Sequence, residues 1–335
     1  MKCKIRIRDI AVYHPFKVVN NEFYIEYFKK QGKDVRHLLE NVFGRKERYI
    51  IDNAGKKESE RENSLTMQVE AAKRVLEKAN LTGQDIDGII VATQFPEYMV
   101  PPSFMFVHVA IGGKEDCFGY DINCNCLGMT MAFQQASYYF MNNQKLEKIL
   151  IVAGDYLNLG AVLDDEKMYG ALGDCACAMI VERTKEDSEL LDSDYFINNC
   201  SIDNTLFPKK GFSKMIENLD IDCLSNQVYS PECDIPKVIE KINELLSRNK
   251  LVVGDISAFC FSQYVKANNQ KIKDALGIED SKCPFVGDIY GYTGGCSPFL
   301  ALNDLLENNK ISRGDYILFW TLGSAMQHIF ILIKY

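Results

Sequence analysis

Short apolar runs alternate with longer amphipathic segments along the 335 residues, and the order occurs twice. In the first half, Leu65, Val69, Ala72 and Val75 fall at helical spacing within Ser64–Ala79, and Asp87–Thr93 (DGIIVAT) reads as a strand. Phe118–Asn123 is a second strand, Leu127–Asn142 a helix, Lys148–Ala153 a strand and Cys175–Glu182 another. In the second half, helix Lys237–Arg248, strand Ile256–Phe261, helix Ser297–Asn308 and strands Tyr316–Thr321 and Gln327–Lys334 return in similar order. Local words echo across the halves: IDGIIVATQ with GDISAFCFSQ, KILIVAG with DYILFWT, and a cysteine-led helix at Cys126 with one at Cys296. Strands alternating with helices predict buried, mostly parallel sheets covered on both faces. A repeat of about half the chain predicts a duplicated α/β unit, not a solenoid. The halves are expected at 1–183 and 184–335, with the boundary somewhere in 183–235, where Asp, Ser and Asn accumulate.

Composition narrows the function. Net charge is −8, from 38 basic and 46 acidic residues, which argues against a nucleic-acid or anionic-membrane surface. No apolar run reaches the roughly 18–20 residues of a membrane span, and the N-terminus MKCKIRIRDIAVYHPF has no signal-like apolar block. A cytoplasmic location is expected. The twelve cysteines lack the CxxC knuckles of structural zinc sites; Cys124/Cys126 and Cys175/Cys177 are CxC pairs in apolar surroundings. Most read as small buried hydrophobes, and no metal is expected.

Cys126 is placed differently, at the junction of a strand and an amphipathic helix. A helix N-terminus offers unpaired amides and partial positive charge, which favour a thiolate nucleophile there. On position alone, a structural cysteine is the commoner reading.

The ordered set of motifs adds to this. Ala11–Asn21 (AVYHPFKVVNN), Gly44–Arg48 (GRKER), the VATQFPEYMVP stretch of Ile86–Pro101, Asp121–Gly128 (DINCNCLG), Leu172–Ala178 (LGDCACA), YGYTGGCS at 290–297 and Leu322–Ala325 (LGSA) occur in sequence. Together they resemble the β-ketoacyl-acyl-carrier-protein synthase III family of the thiolase-like superfamily. The resemblance implies a thiolase-like αβαβα layered fold of two duplicated halves with mixed, mostly parallel sheets, with Cys126 as the nucleophile and the amides of Cys126 and Ser324 as oxyanion donors. It implies a dimer, no bound cofactor, and an acyl-CoA or phosphopantetheine thioester, the latter carried by acyl-carrier protein, as substrate. Lys46 and Arg48, in the segment resembling GIxxR, are the candidates for meeting the carrier at the tunnel mouth, although Asp164–Met168 is acidic where relatives are often basic.

The departures fall on the catalytic partners. Condensing members of the family complete a Cys-His-Asn triad, with the histidine in HQAN and the asparagine in YGN. Here Ser262 stands at the histidine position and Tyr292 at the asparagine position, while Asn268 is the candidate counterpart of the HQAN asparagine. The chain's four histidines, at 14, 37, 108 and 328, lie outside the segments that match HQAN and YGN. Decarboxylating a malonyl thioester creates an enolate that the missing pair would stabilise, and each lost donor costs about 10²–10³ in rate. An amine, hydroxyl or thiol acceptor needs no enolate. The expectation is therefore an acyltransferase loading Cys126 with weak malonyl decarboxylation; the alternative is an impaired synthase-like partner subunit.

Overall fold

The computed structural model describes residues 4–198, 205–218, 225–226 and 234–335. Two mixed sheets form its frame. In the first, strands run in the order Ile5–Tyr13, Cys175–Arg183, Lys148–Asp155, Gly88–Ala92, Phe118–Ile122. In the second, the order is Ile256–Phe261, Tyr316–Gly323, Gln327–Lys334, Glu189–Ile197. Read from Gly88–Ala92 in the first sheet and Ile256–Phe261 in the second, each begins with a parallel pair followed by two antiparallel pairings. The expected sheets are therefore mixed, parallel toward one side and antiparallel toward the other. Apolar runs alone do not distinguish these cases, because strands buried on both faces look alike in either pairing. Part of the 183–235 stretch expected to hold the boundary (199–204, 219–224 and 227–233) lies outside the described residues.

Period-two alternation divides the strands between layers. Ile149, Ile151 and Ala153 face one core cluster, while Leu150 and Val152 face another. The first cluster is sandwiched between the sheets and contains helices Gly128–Asn142 and Ser297–Glu307. Helix Ser64–Ala79 covers the outer face of the first sheet, capped by reciprocal bonds between Asn63 and Thr66 and ended by left-handed Asn80. Helices Ile235–Arg248 and Lys266–Leu276 cover the outer face of the second. The result is the five-layer αβαβα arrangement, with the strand ends of both sheets meeting at the start of the central helices. Among the described residues no helix is long and apolar enough to cross a membrane, and no group of three or more His, Cys, Asp or Glu side chains is disposed to hold a metal.

Candidate active site

Cys126 lies in a 3-10 turn, Asn125–Leu127, between strand Phe118–Ile122 and helix Gly128–Asn142. Asn125 takes a left-handed φ of 50°, which asparagine tolerates better than most side chains. The thiol is buried in an apolar cluster with Phe95, Leu157, Met168, Leu172 and Tyr292. Opposite it, strand Tyr316–Gly323 ends at Gly323, where a Cβ would collide with Leu127 and lie 3.6 Å from the Cys126 amide nitrogen. Ser324, the expected second oxyanion donor, follows directly in the chain. Ala325 and Met326 follow at φ 58° and 53°, a strained turn returning the chain into strand Gln327–Lys334.

Tyr292 is carried to the thiol by a short backbone pairing. Its amide donates to the Ala171 carbonyl at 2.9 Å, and its carbonyl accepts from the Gly173 amide at 3.0 Å. Its hydroxyl lies close to the Cys126 sulfur and to Ser262. Ser262 follows strand Ile256–Phe261; its amide donates to the Trp320 carbonyl at 2.8 Å, and its carbonyl accepts from Asn269 Nδ2 at 2.9 Å. The Ser262 hydroxyl is buried and, among the described residues, makes no hydrogen bond of normal geometry. The structure thus gathers Cys126, Tyr292 and Ser262 from three separate segments.

Burial pushes the Cys126 thiol up to about 11, with hydrogen bonds from Tyr292 and Gln94 pulling against it and the charge of Asp155 adding to it. This corrects the expected thiolate. The helix start is present, but the apolar cluster around the sulfur removes the water that would solvate the anion, and desolvation outweighs the favourable groups.

Asp155 and Gln94, the latter from the VATQFPEYMVP stretch, also act on the thiol, although no motif marks either as its partner. Asp155 closes strand Lys148–Asp155, and its Oδ1 accepts from Thr93 Oγ1 at 2.6 Å and from the Gln94 and Phe95 amides at 3.0 Å. Desolvation raises its carboxyl to about 6 despite these donors. An acid ending the apolar run KILIVAGD was the available signal. Asp155→Asn removes a negative charge near the sulfur, so Cys126 alkylation by iodoacetamide at pH 8 is expected to quicken about threefold or more. Peptide mass mapping measures it.

Other residues stand apart from the thiol. Arg48 corrects the expectation of a carrier contact: it is fully buried, donates to Asn21 Oδ1 at 2.8 Å and to the Gly170 carbonyl, and stacks 4.3 Å from the Tyr24 ring centroid. Lys46, with a 77% exposed side chain, pairs with Asp288 at 2.7 Å. Asn268 sits inside helix Lys266–Leu276 and shares a small cavity with Ser262, Trp320 and His328; its neighbour Asn269 makes the bond to the Ser262 carbonyl. His328 accepts from Trp320 Nε1 at 3.2 Å and lies 3.3 Å from Asp234. His14 stacks on Tyr49, and His108 bonds the Lys114 carbonyl.

Two family models decide the relationship. The model of 3-oxoacyl-[acyl-carrier-protein] synthase III matches residues 120–198 and that of its C-terminal part residues 246–335, together more than half of the chain. The chain belongs to the 3-oxoacyl-[acyl-carrier-protein] synthase III family. Membership places it among acyl-transferring enzymes. Similar proteins include the β-ketoacyl-[acyl-carrier-protein] synthase III of Campylobacter jejuni, 25% identical over 99% of this chain and 98% of that protein. The enzyme of that name from Coxiella burnetii is 26% identical over 96% of each. Among solved structures, the Aquifex aeolicus synthase III matches with a TM-score of 0.84 at 22% identity, covering 99% of this chain and all of the other. Xanthomonas campestris OleA, solved with lauric acid and lauroyl-CoA, matches with a TM-score of 0.84 at 16% identity, each chain fully covered. These structural likenesses establish the shared thiolase-like fold.

Proposed function

We propose that this chain takes an acyl group from a coenzyme A or acyl-carrier-protein thioester onto Cys126 and passes it to an acceptor, with little malonyl decarboxylation. One observation carries the reading: Tyr292 lies at the nucleophile with Ser262 beside it, and neither of the two positions that would hold an enolate carries an imidazole or carboxamide. In the first step the Cys126 sulfur attacks the thioester carbonyl and the carrier sulfur departs. The proton lost by Cys126 is the one the departing thiolate gains, so the exchange balances. The amides of Cys126 and Ser324 hold the tetrahedral oxyanion, and Tyr292 donates to the sulfur while it is anionic. Lys46 is the surface cation for the incoming carrier.

In the second step a heteroatom nucleophile attacks the Cys126 acyl group and regenerates the thiol; it needs positioning and proton removal but no stabilised carbanion. The test is a chase of preloaded acyl-enzyme with amines, alcohols and thiols on one side and a malonyl thioester on the other. Deacylation by one of the former is expected to exceed ketoacyl product formation by about 10²-fold or more. Ketoacyl product and carbon dioxide appearing at the faster rate would overturn the reading.

A further inference from the structure

Arg45 stands at the isoleucine position of the segment resembling GIxxR, and it is 1% exposed. Among the described residues no carboxylate hydrogen-bonds it. Its five N–H bonds go to backbone carbonyls: Ala171 at 3.0 Å, Phe43 at 3.0 Å, Gly287 at 3.1 Å, Gln263 at 3.0 Å and Tyr264 at 2.7 Å. The rings of Phe43 and Phe285 lie 5.9 and 5.7 Å from the guanidinium. A buried charge with neutral partners is costly, and an apolar side chain of similar volume is often the more stable occupant.

The carbonyls it gathers frame the site. Gln263 and Tyr264 directly follow Ser262. The Ala171 carbonyl that accepts from Arg45 Nε is the same one that accepts the Tyr292 amide. Gly287 begins the short helix Gly287–Tyr290 that leads into Tyr292, and Gln263 Oε1 receives the amides of Val286 and Gly287 at 2.8 and 3.2 Å. The rigid fork of a guanidinium suits five fixed acceptors, which lysine's three donors do not.

We propose that Arg45 is a positioning residue, which clamps the Ser262 and Tyr292 segments in one register beside Cys126. The inference rests on Cys126, Tyr292 and Ser262 forming one site. The charged and titratable groups around the guanidinium are Arg48, Tyr264, Tyr292 and Asp288; burial lowers Arg45 itself to about 9, leaving it protonated near neutral pH.

The test uses iodoacetamide on the full chain between pH 7 and 11, with Cys126 followed by peptide mass mapping and each variant checked for cooperative melting. In Arg45→Met the Cys126 reaction is expected to slow about tenfold at pH 8, because Tyr292 is no longer held toward the sulfur. Arg45→Lys, which keeps the charge but not the five-donor fork, should slow it by a similar factor. If Arg45→Met does not fold, Arg45→Gln carries the same expectation. A neutral variant that melts cooperatively yet alkylates at the wild-type rate overturns the proposal, as does a folded Arg45→Lys that keeps the wild-type rate. No acyl donor is involved, so a wild type that accepts no acyl group while its alkylation depends on Arg45 would defeat the proposed function and leave this inference standing.

Discussion

Replacing Ser262 by histidine and Tyr292 by asparagine together is expected to speed carbon dioxide release from a malonyl thioester by about 10²-fold or more. In the wild type the Ser262 hydroxyl has no hydrogen bond of normal geometry, and the Tyr292 hydroxyl is engaged with the Cys126 sulfur. Neither is held toward an enolate oxygen. Serine also falls short of the reach of an imidazole, and tyrosine fills the space a shorter carboxamide leaves open for substrate. The double change supplies both donors and vacates the tyrosine volume. The single variants should each gain less than the pair, because donors that act on one oxygen as a unit are not additive. Carbon dioxide release from labelled malonyl thioester measures the effect. A folded double variant no faster than the wild type would show that something other than the two missing donors suppresses condensation.

Removing only the Tyr292 hydroxyl should have an opposite and comparably large consequence for loading. With its thiol near 11, Cys126 holds about one part in 10³ as thiolate at pH 8. Below that value the thiolate fraction rises tenfold with each pH unit, so acyl loading should climb about tenfold from pH 7 to 8 and again from pH 8 to 9. Tyr292 is the foremost hydrogen bond opposing the effect of burial. A hydrogen bond to a charged group contributes about 1.5–3 kcal/mol, so Tyr292→Phe should slow loading at pH 8 roughly 10- to 100-fold. Single-turnover loading followed by mass checks both statements. A loading rate flat from pH 7 to 9, or unchanged in Tyr292→Phe, would contradict the picture of a buried thiol held by that hydroxyl.

Much of the architecture was legible because it rests on patterns local to the chain. The strand at Lys148 and the helix from Ser64 follow from spacing of apolar residues, and the repeated order of elements appears as matching pairings in the two sheets. The convergence of Cys126, Tyr292 and Ser262 came from motifs, since nothing in the local chemistry of a serine after a strand marks it as lying near a thiol. What stayed hidden depends on the assembled interior. Arg48 looks like a surface cation until Tyr24, Asn21 and Gly170 are seen around it. The helix start at Cys126 suggests a thiolate until the enclosing apolar side chains are counted. Arg45 reads as one more basic residue in a basic word, and only the fold brings five carbonyls from distant segments to its guanidinium.

The central claim is that Cys126 accepts an acyl group. Intact mass after incubation at pH 9 with a panel of acyl-coenzyme A and acyl-carrier-protein thioesters tests it, with Cys126→Ala as the control. The account predicts a gain of one acyl group in the wild type and none in the variant. A wild type that gains no mass from any thioester, or a variant that gains as much, would contradict it; in the first case the reading as a partner subunit would take its place.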